Sequence, residues 1–99
     1  MVRHIVLFSF KDGFTEQEKA EHLQNIKLGL VRLTGIIDGV VSINVIIDPL
    51  STSNTDFLLD STFESEAALA AYQIHPEHKK ISHYIGDVRE VRSCFDYYC

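Results

Sequence analysis

Tyr72, His75, Glu77 and His78 set a phenol, two imidazoles and a carboxylate around Pro76. Proline cannot donate to the carbonyl of Tyr72, and its ring would clash with that carbonyl, so a helix running through this stretch must kink or restart. Ionisable side chains therefore meet at a bend. Imidazole has an unperturbed pKa of ~6.5, nearer to neutrality than other side chains, which makes His78 the first candidate for moving a proton. The bland alternative is that Tyr72 packs on a sheet while His78 lines the bend. His75, just before the proline, reads as the N-cap of the restarted helix. His75, Glu77 and His78 are not expected to bind a metal together. Ligands spaced across a proline point apart, and neither HEXXH nor paired cysteines occur.

The other reactive side chains are scattered. His4 lies in an apolar strand, where a lone histidine reads as a core residue. His22 and His83 fall on helix faces predicted to be solvated. Cys94 and Cys99 lack the second pair that a zinc knuckle or disulfide framework requires, so both read as free thiols, Cys94 as a small buried hydrophobe.

Composition narrows the function classes. The chain has 99 residues with 9 Lys plus Arg against 14 Asp plus Glu, a net charge of −5, and no basic cluster, which argues against a nucleic-acid partner. The apolar run from Ile5 to Phe8 is too short for a signal-peptide core or a membrane span, so a soluble cytoplasmic protein with no membrane partner is expected. A single domain over residues 1–99 is predicted, with a core shallow enough that oligomerisation would stabilise it.

The elements that must position the bend follow from periodicity. Val2 to Phe10 alternates as a strand with apolar residues on both faces, closed by Lys11-Asp12-Gly13. Thr15 and Glu18 have capping-box spacing, so a helix starts near Glu16. It buries Leu23, Ile26, Leu30 and Leu33, and Gly35 is predicted as its left-handed stop. Val40 to Ile47 is a second strand with Val41, Ile43, Val45 and Ile47 on one face, and Phe57 to Phe63 is a third. Ser65 caps a helix through Tyr72, a short helix after Pro76 is predicted to end at Gly86, and Val88 to Tyr98 is the last strand. Strand, helix, strand, strand, helix, strand is the split βαβ order of an α+β, ferredoxin-like domain. Both helices then cover one sheet face. Nothing remains to cover the other, which predicts a homodimer with sheets face to face around a shared interior.

His4-Ile5-Val6-Leu7-Phe8 with Phe10-Lys11, then Thr62-Phe63-Glu64-Ser65, then Tyr72 with His75-Pro76-Glu77-His78, then Phe95-Asp96-Tyr97, resemble the stress-responsive A/B barrel family from end to end. The resemblance implies ferredoxin-like protomers pairing into a dimeric α/β barrel. In a plant polyketide cyclase of this family, a tyrosine and a histidine carry an intramolecular aldol closure. By position these fall on Tyr72 and His78, with Asp96 orienting the imidazole and His4 in the pocket. A neutral imidazole would take a proton from between two carbonyls while the phenol hydrogen-bonds the thioester oxygen. Where that cyclase has a further histidine, this chain has Phe57, so the pocket differs in polarity.

The resemblance thus implies His78, Tyr72 and Asp96 as catalytic and His4, Phe57 and His75 as ligand contacts. No cofactor is expected, although some plant relatives hold magnesium near the dimer interface, which here would fall at Leu33 to Asp38. The expected function is a homodimer binding a small apolar, carbonyl-bearing molecule in the barrel interior, with polyketide-cyclase-like acid/base activity. The alternative is a non-catalytic, stress-related ligand-binding or structural dimer. A cofactor-free monooxygenase, a chemistry of another family with this topology, is the third reading.

Overall fold

The computed structural model describes residues 1–99. Its elements are β1 (Val2–Phe10), α1 (Glu16–Val31) with a 3-10 turn (Arg32–Gly35), β2 (Val40–Ile46), β3 (Phe57–Phe63), α2 (Glu66–Ile74), α3 (Pro76–Val88) and β4 (Arg89–Tyr98). The strands form one antiparallel sheet in the order β2-β3-β1-β4, which is the ferredoxin-like arrangement. No helix is long and apolar enough to cross a membrane.

Period-two alternation assigns the two faces. Val2, His4, Val6, Phe8 and Phe10 of β1 are all buried beneath the helices, together with Phe57, Leu59, Ser61 and Phe63 of β3. The same register puts Ile5 beside Phe95, Leu7 beside Leu58 and Leu58 beside Ile46 on the outer face. No helix covers that face. Phe95 there is 70% exposed.

The expected capping box opens α1: the Thr15 hydroxyl accepts from the Glu18 amide at 3.1 Å, and the Glu18 carboxylate accepts from the Thr15 amide at 2.9 Å. Ile26, Leu30 and Leu33 then fill the core. Gly29 serves close packing, because a Cβ on it would lie 2.5 Å from the Ile81 side chain of α3. At the start of α3, Glu77 accepts from Arg32 at 2.7 Å and from Lys80 at 3.0 Å, fastening it to the end of α1. Both cations hold its carboxyl below the usual range, the Arg32 hydrogen bond most of all.

Several boundaries differ from expectation. Gly35 is not left-handed; α1 tightens into a 3-10 turn instead, and Gly39 has the positive φ, 86°. A Cβ on Gly39 would lie 2.7 Å from that of Ala68, so the site favours glycine twice over. β2 stops at Ile46, and a bulge between Val40 and Ser42 turns Val41 out of the inward row, leaving it exposed. Gly86 does not end α3, which runs two residues further and buries Ile85 and Val88. His22 is not solvated: its Nδ1 lies 2.5 Å from the Tyr84 hydroxyl, and its ring meets Phe14 edge-on.

Candidate functional site

The break at Pro76 is resolved locally. The Tyr72 carbonyl, which proline cannot serve, accepts from the His75 amide at 3.2 Å. His75 is extended, and its Nδ1 accepts from the Glu77 amide at 3.1 Å, making it the N-cap of α3. In an unbroken helix the Glu77 amide would serve the Gln73 carbonyl. With that amide diverted, the Gln73 carbonyl meets His78 Nδ1 at 3.3 Å instead.

This contact fixes the chemistry of His78. A carbonyl only accepts, so Nδ1 carries the proton and the neutral ring keeps its lone pair on Nε2. Burial pushes the imidazole pKa below its ordinary value, aided by the nearby positive charge of Arg92, while the Gln73 carbonyl pulls the other way. His78 is therefore neutral at pH 7, as a general base must be.

Tyr72 packs its ring on His78 at 4.2 Å and on Phe63 at 4.8 Å. It is fully buried, and its hydroxyl has no hydrogen-bond partner. Burial raises the phenol pKa well above its ordinary value, so this group is a proton donor and not a base.

His4 is buried, and its Nδ1 lies 2.5 Å from the Asp96 carboxylate across the β1–β4 ladder. Asp96 thus orients His4, not His78. A carboxylate on Nδ1 leaves the His4 Nε2 lone pair free when the ring is neutral. The Cys94 thiol donates to the same carboxylate at 3.4 Å. It is exposed on the edge strand, where a buried side chain was expected. Partial burial, then the Asp96 contact and charge, raise its pKa, so it is a thiol at neutral pH.

His4 Nδ1, the Cys94 sulfur and the Asp96 carboxylate lie within 4.8 Å of one another, a set that could hold a cation. The 2.5 Å His4–Asp96 distance is instead a hydrogen bond. Two ligands on one tetrahedral zinc would stand ~3.3 Å apart. The set is closed on itself. In the turn from Leu33 to Asp38, the Leu33 carbonyl accepts from the amides of Ile36 and Ile37, both at 3.0 Å, so this carbonyl is already occupied.

His4 and His78 share a cavity of about 380 Å³ between α3 and the sheet. Its apolar wall is Val6, Phe8, Leu30, Leu59 and Ile85, and its polar rim is Gln73, Ser82, Arg89 and Arg92. The size is at the small end of the range for ligand sites. Tyr72, His75 and Phe57 do not line it; Phe57 stacks on Phe8 in the core at 4.7 Å. Asp96 instead borders a separate hollow of about 220 Å³ that has no imidazole.

The expectation that the bend would border a chamber between two paired sheets is not met. His4, Tyr72 and His78 all lie on the helix side, within one protomer. Sequence reasoning also missed Arg89. Strict alternation would put it outside with Val91, but Phe10 pairs with Arg89 whereas Ser9 pairs with Val91. Glu90 is the extra residue of a bulge that returns Arg89 to the inner face.

The fold and its motifs match known proteins. The model of the stress responsive A/B barrel domain matches residues 2–99. The stress-response A/B barrel domain-containing protein HS1 of Arabidopsis thaliana is 40% identical over 81 residues, 78% of this chain and 70% of that protein. A dimeric protein of ferredoxin-like fold from Bacteroides fragilis superposes with a TM-score of 0.93 at 28% identity, covering 99% of this chain and 95% of its own. An antibiotic biosynthesis monooxygenase from Nitrosomonas europaea, described as putative, shares the fold alone, with a TM-score of 0.78 at 17% identity over 100% of this chain and 98% of its own. With its ferredoxin-like sheet, its helix break at Pro76 and a family match over nearly its whole length, the chain belongs to the stress-responsive A/B barrel domain family.

Proposed function

We propose that this protein is a homodimer whose protomers each bind a small carbonyl-bearing molecule in the α3–sheet cavity, and that His78 removes a proton from it as in polyketide cyclisation. One observation supports this most directly: Nδ1 of a neutral, half-buried imidazole is occupied by the Gln73 carbonyl, which leaves Nε2 as the base of a residue that lines a ligand-sized hollow. The proton between two carbonyls passes to Nε2, the resulting enolate forms a carbon–carbon bond to a further carbonyl of the same molecule, and the alkoxide left there takes the proton back from Nε2. The uncovered outer face, with exposed Phe95, Val91 and Ile46, supports pairing with a second copy, as in the dimeric relatives.

The test is deuterium uptake at the methylene of a 3-oxoacyl thioester in D2O, followed by NMR. Wild type should accelerate exchange and His78→Ala should not; equal rates for the two proteins would refute the assignment of His78.

Tyr72 supports a second reading, a non-catalytic ligand-binding dimer. Its hydroxyl is buried and lies off the cavity lining, so in this conformation it does not reach a bound carbonyl. Binding of the thioester with no exchange above background would favour this reading.

A further inference from the structure

The chain has four arginines, at positions 3, 32, 89 and 92. Two are spent on carboxylates: Arg3 grips Asp60 with both arms at 2.7 and 3.1 Å, and Arg32 meets Glu77 at 2.7 Å. Arg89 and Arg92 form no ion pair, although acidic residues outnumber basic ones 14 to 9. Both line the cavity that holds His4 and His78, and no Asp or Glu lines it with them. The bulge at Glu90 is what puts the two guanidinium groups on one side of β4. Unpaired positive charge has been collected at one hollow of an acidic protein. A guanidinium presents a planar fork that matches a carboxylate, and the opposite wall of this hollow is hydrocarbon.

From this we infer that the ligand is a carboxylate with a short hydrocarbon chain, its head held by Arg89 and Arg92 and its tail against Val6, Phe8 and Leu59. The inference rests on the cavity of the proposed function but not on proton transfer by His78. His78 being neutral, the two arginines are the fixed charges that distinguish an acid from its ester. Because Arg92 is exposed and Arg89 only half-buried, the preference weakens with salt.

The experiment is calorimetric titration of the protein with hexanoate, methyl hexanoate and inorganic phosphate at low ionic strength, repeated on Arg89→Gln/Arg92→Gln. Neither arginine neutralises a carboxylate, so the double variant leaves no acid unpaired; circular dichroism and a thermal melt check its fold. Wild type should bind hexanoate at least about tenfold more tightly than the ester, and the variant should lose that preference while binding the ester as before. Equal binding of acid and ester by wild type, a preference retained by the folded variant, or phosphate competing with hexanoate at equal concentration would each overturn the inference. The two readings fail separately. Acid binding without thioester exchange defeats only the His78 chemistry, and His78-dependent exchange without acid preference defeats only the arginine clasp.

Discussion

The two sides of the sheet use the same strands and treat charge in opposite ways. On the outer side Arg3 and Asp60 close on each other, and the hydrogen bond to Arg3 holds the Asp60 carboxyl below its usual range. Each charge of the pair is answered by the other, and no charge is left over there. On the inner side Arg89 and Arg92 are unmatched, the His78 tautomer is set by a backbone carbonyl, and a buried hydroxyl has no partner. Polar groups that satisfy each other suit an interface, whereas unsatisfied groups around a hollow suit a ligand. The difference arises in the covering layer. Outside there is none, and inside the broken α2–α3 unit leaves a space that a continuous helix would not.

The largest effect that separates the sides is kinetic. His78→Ala should lower thioester proton exchange by about 10²- to 10⁴-fold while leaving sedimentation unchanged. Phe95→Asp should do the reverse. A charge in place of this exposed aromatic ring of the outer face should weaken self-association by roughly 30-fold or more, seen as a concentration-dependent fall in mass by analytical ultracentrifugation, with exchange per protomer kept. Loss of exchange in Phe95→Asp would show that the cavity depends on the partner, and the contrast between the faces would fail.

How far each side was legible in the sequence follows the same division. The outer face is a matter of alternation, and alternation reads directly: Ile5, Leu7, Leu58 and Phe95 fall where period two puts them. The bend at Pro76, the cap at His75 and the capping box at Thr15 were also legible, because each is a local rule written in two or three adjacent residues. The cavity was not. Its placement depends on which face of β1 the helices cover, and a strand apolar on both sides does not announce that. Arg89 was hidden by a one-residue bulge, which flips the face of everything before it. The partner of Asp96 was missed because the β1–β4 register, absent from local sequence, brings Asp96 to His4.

Acid titration of stability should resolve the faces next, by pH. Since burial lowers the folded-state pKa of His78, the unfolded chain binds more protons than the folded one below ~6.5. Stability therefore falls as the pH drops from ~6.5 towards the folded-state value and then levels off; His78→Ala should remove that slope. Asp60 acts lower. Its depressed carboxyl contributes stability that is fully present above ~3.9 and is lost as pH falls through its folded-state pKa, a loss Asp60→Asn should remove. Urea midpoints measured from pH 7.5 to pH 3 check both. A wild-type midpoint that stays flat between pH 6.5 and 5 would mean that His78 is solvated.

The smallest expected effect tests the group that fits the inner side least well. The Tyr72 hydroxyl is buried without a partner, and an unmet donor of that kind costs stability. Tyr72→Phe removes the hydroxyl and keeps the ring contacts to Phe63 and His78, so it should raise stability by up to about 1 kcal/mol, read as a higher urea midpoint at an unchanged m-value. Thioester exchange should stay within about threefold of wild type if the phenol stays off the cavity. A loss of 10²-fold or more with stability gained would mean that the α2–α3 break opens to bring the phenol onto the ligand. The orphaned hydroxyl would then be a catalytic donor kept waiting at a cost to the resting fold, and not a packing residue with a spare oxygen.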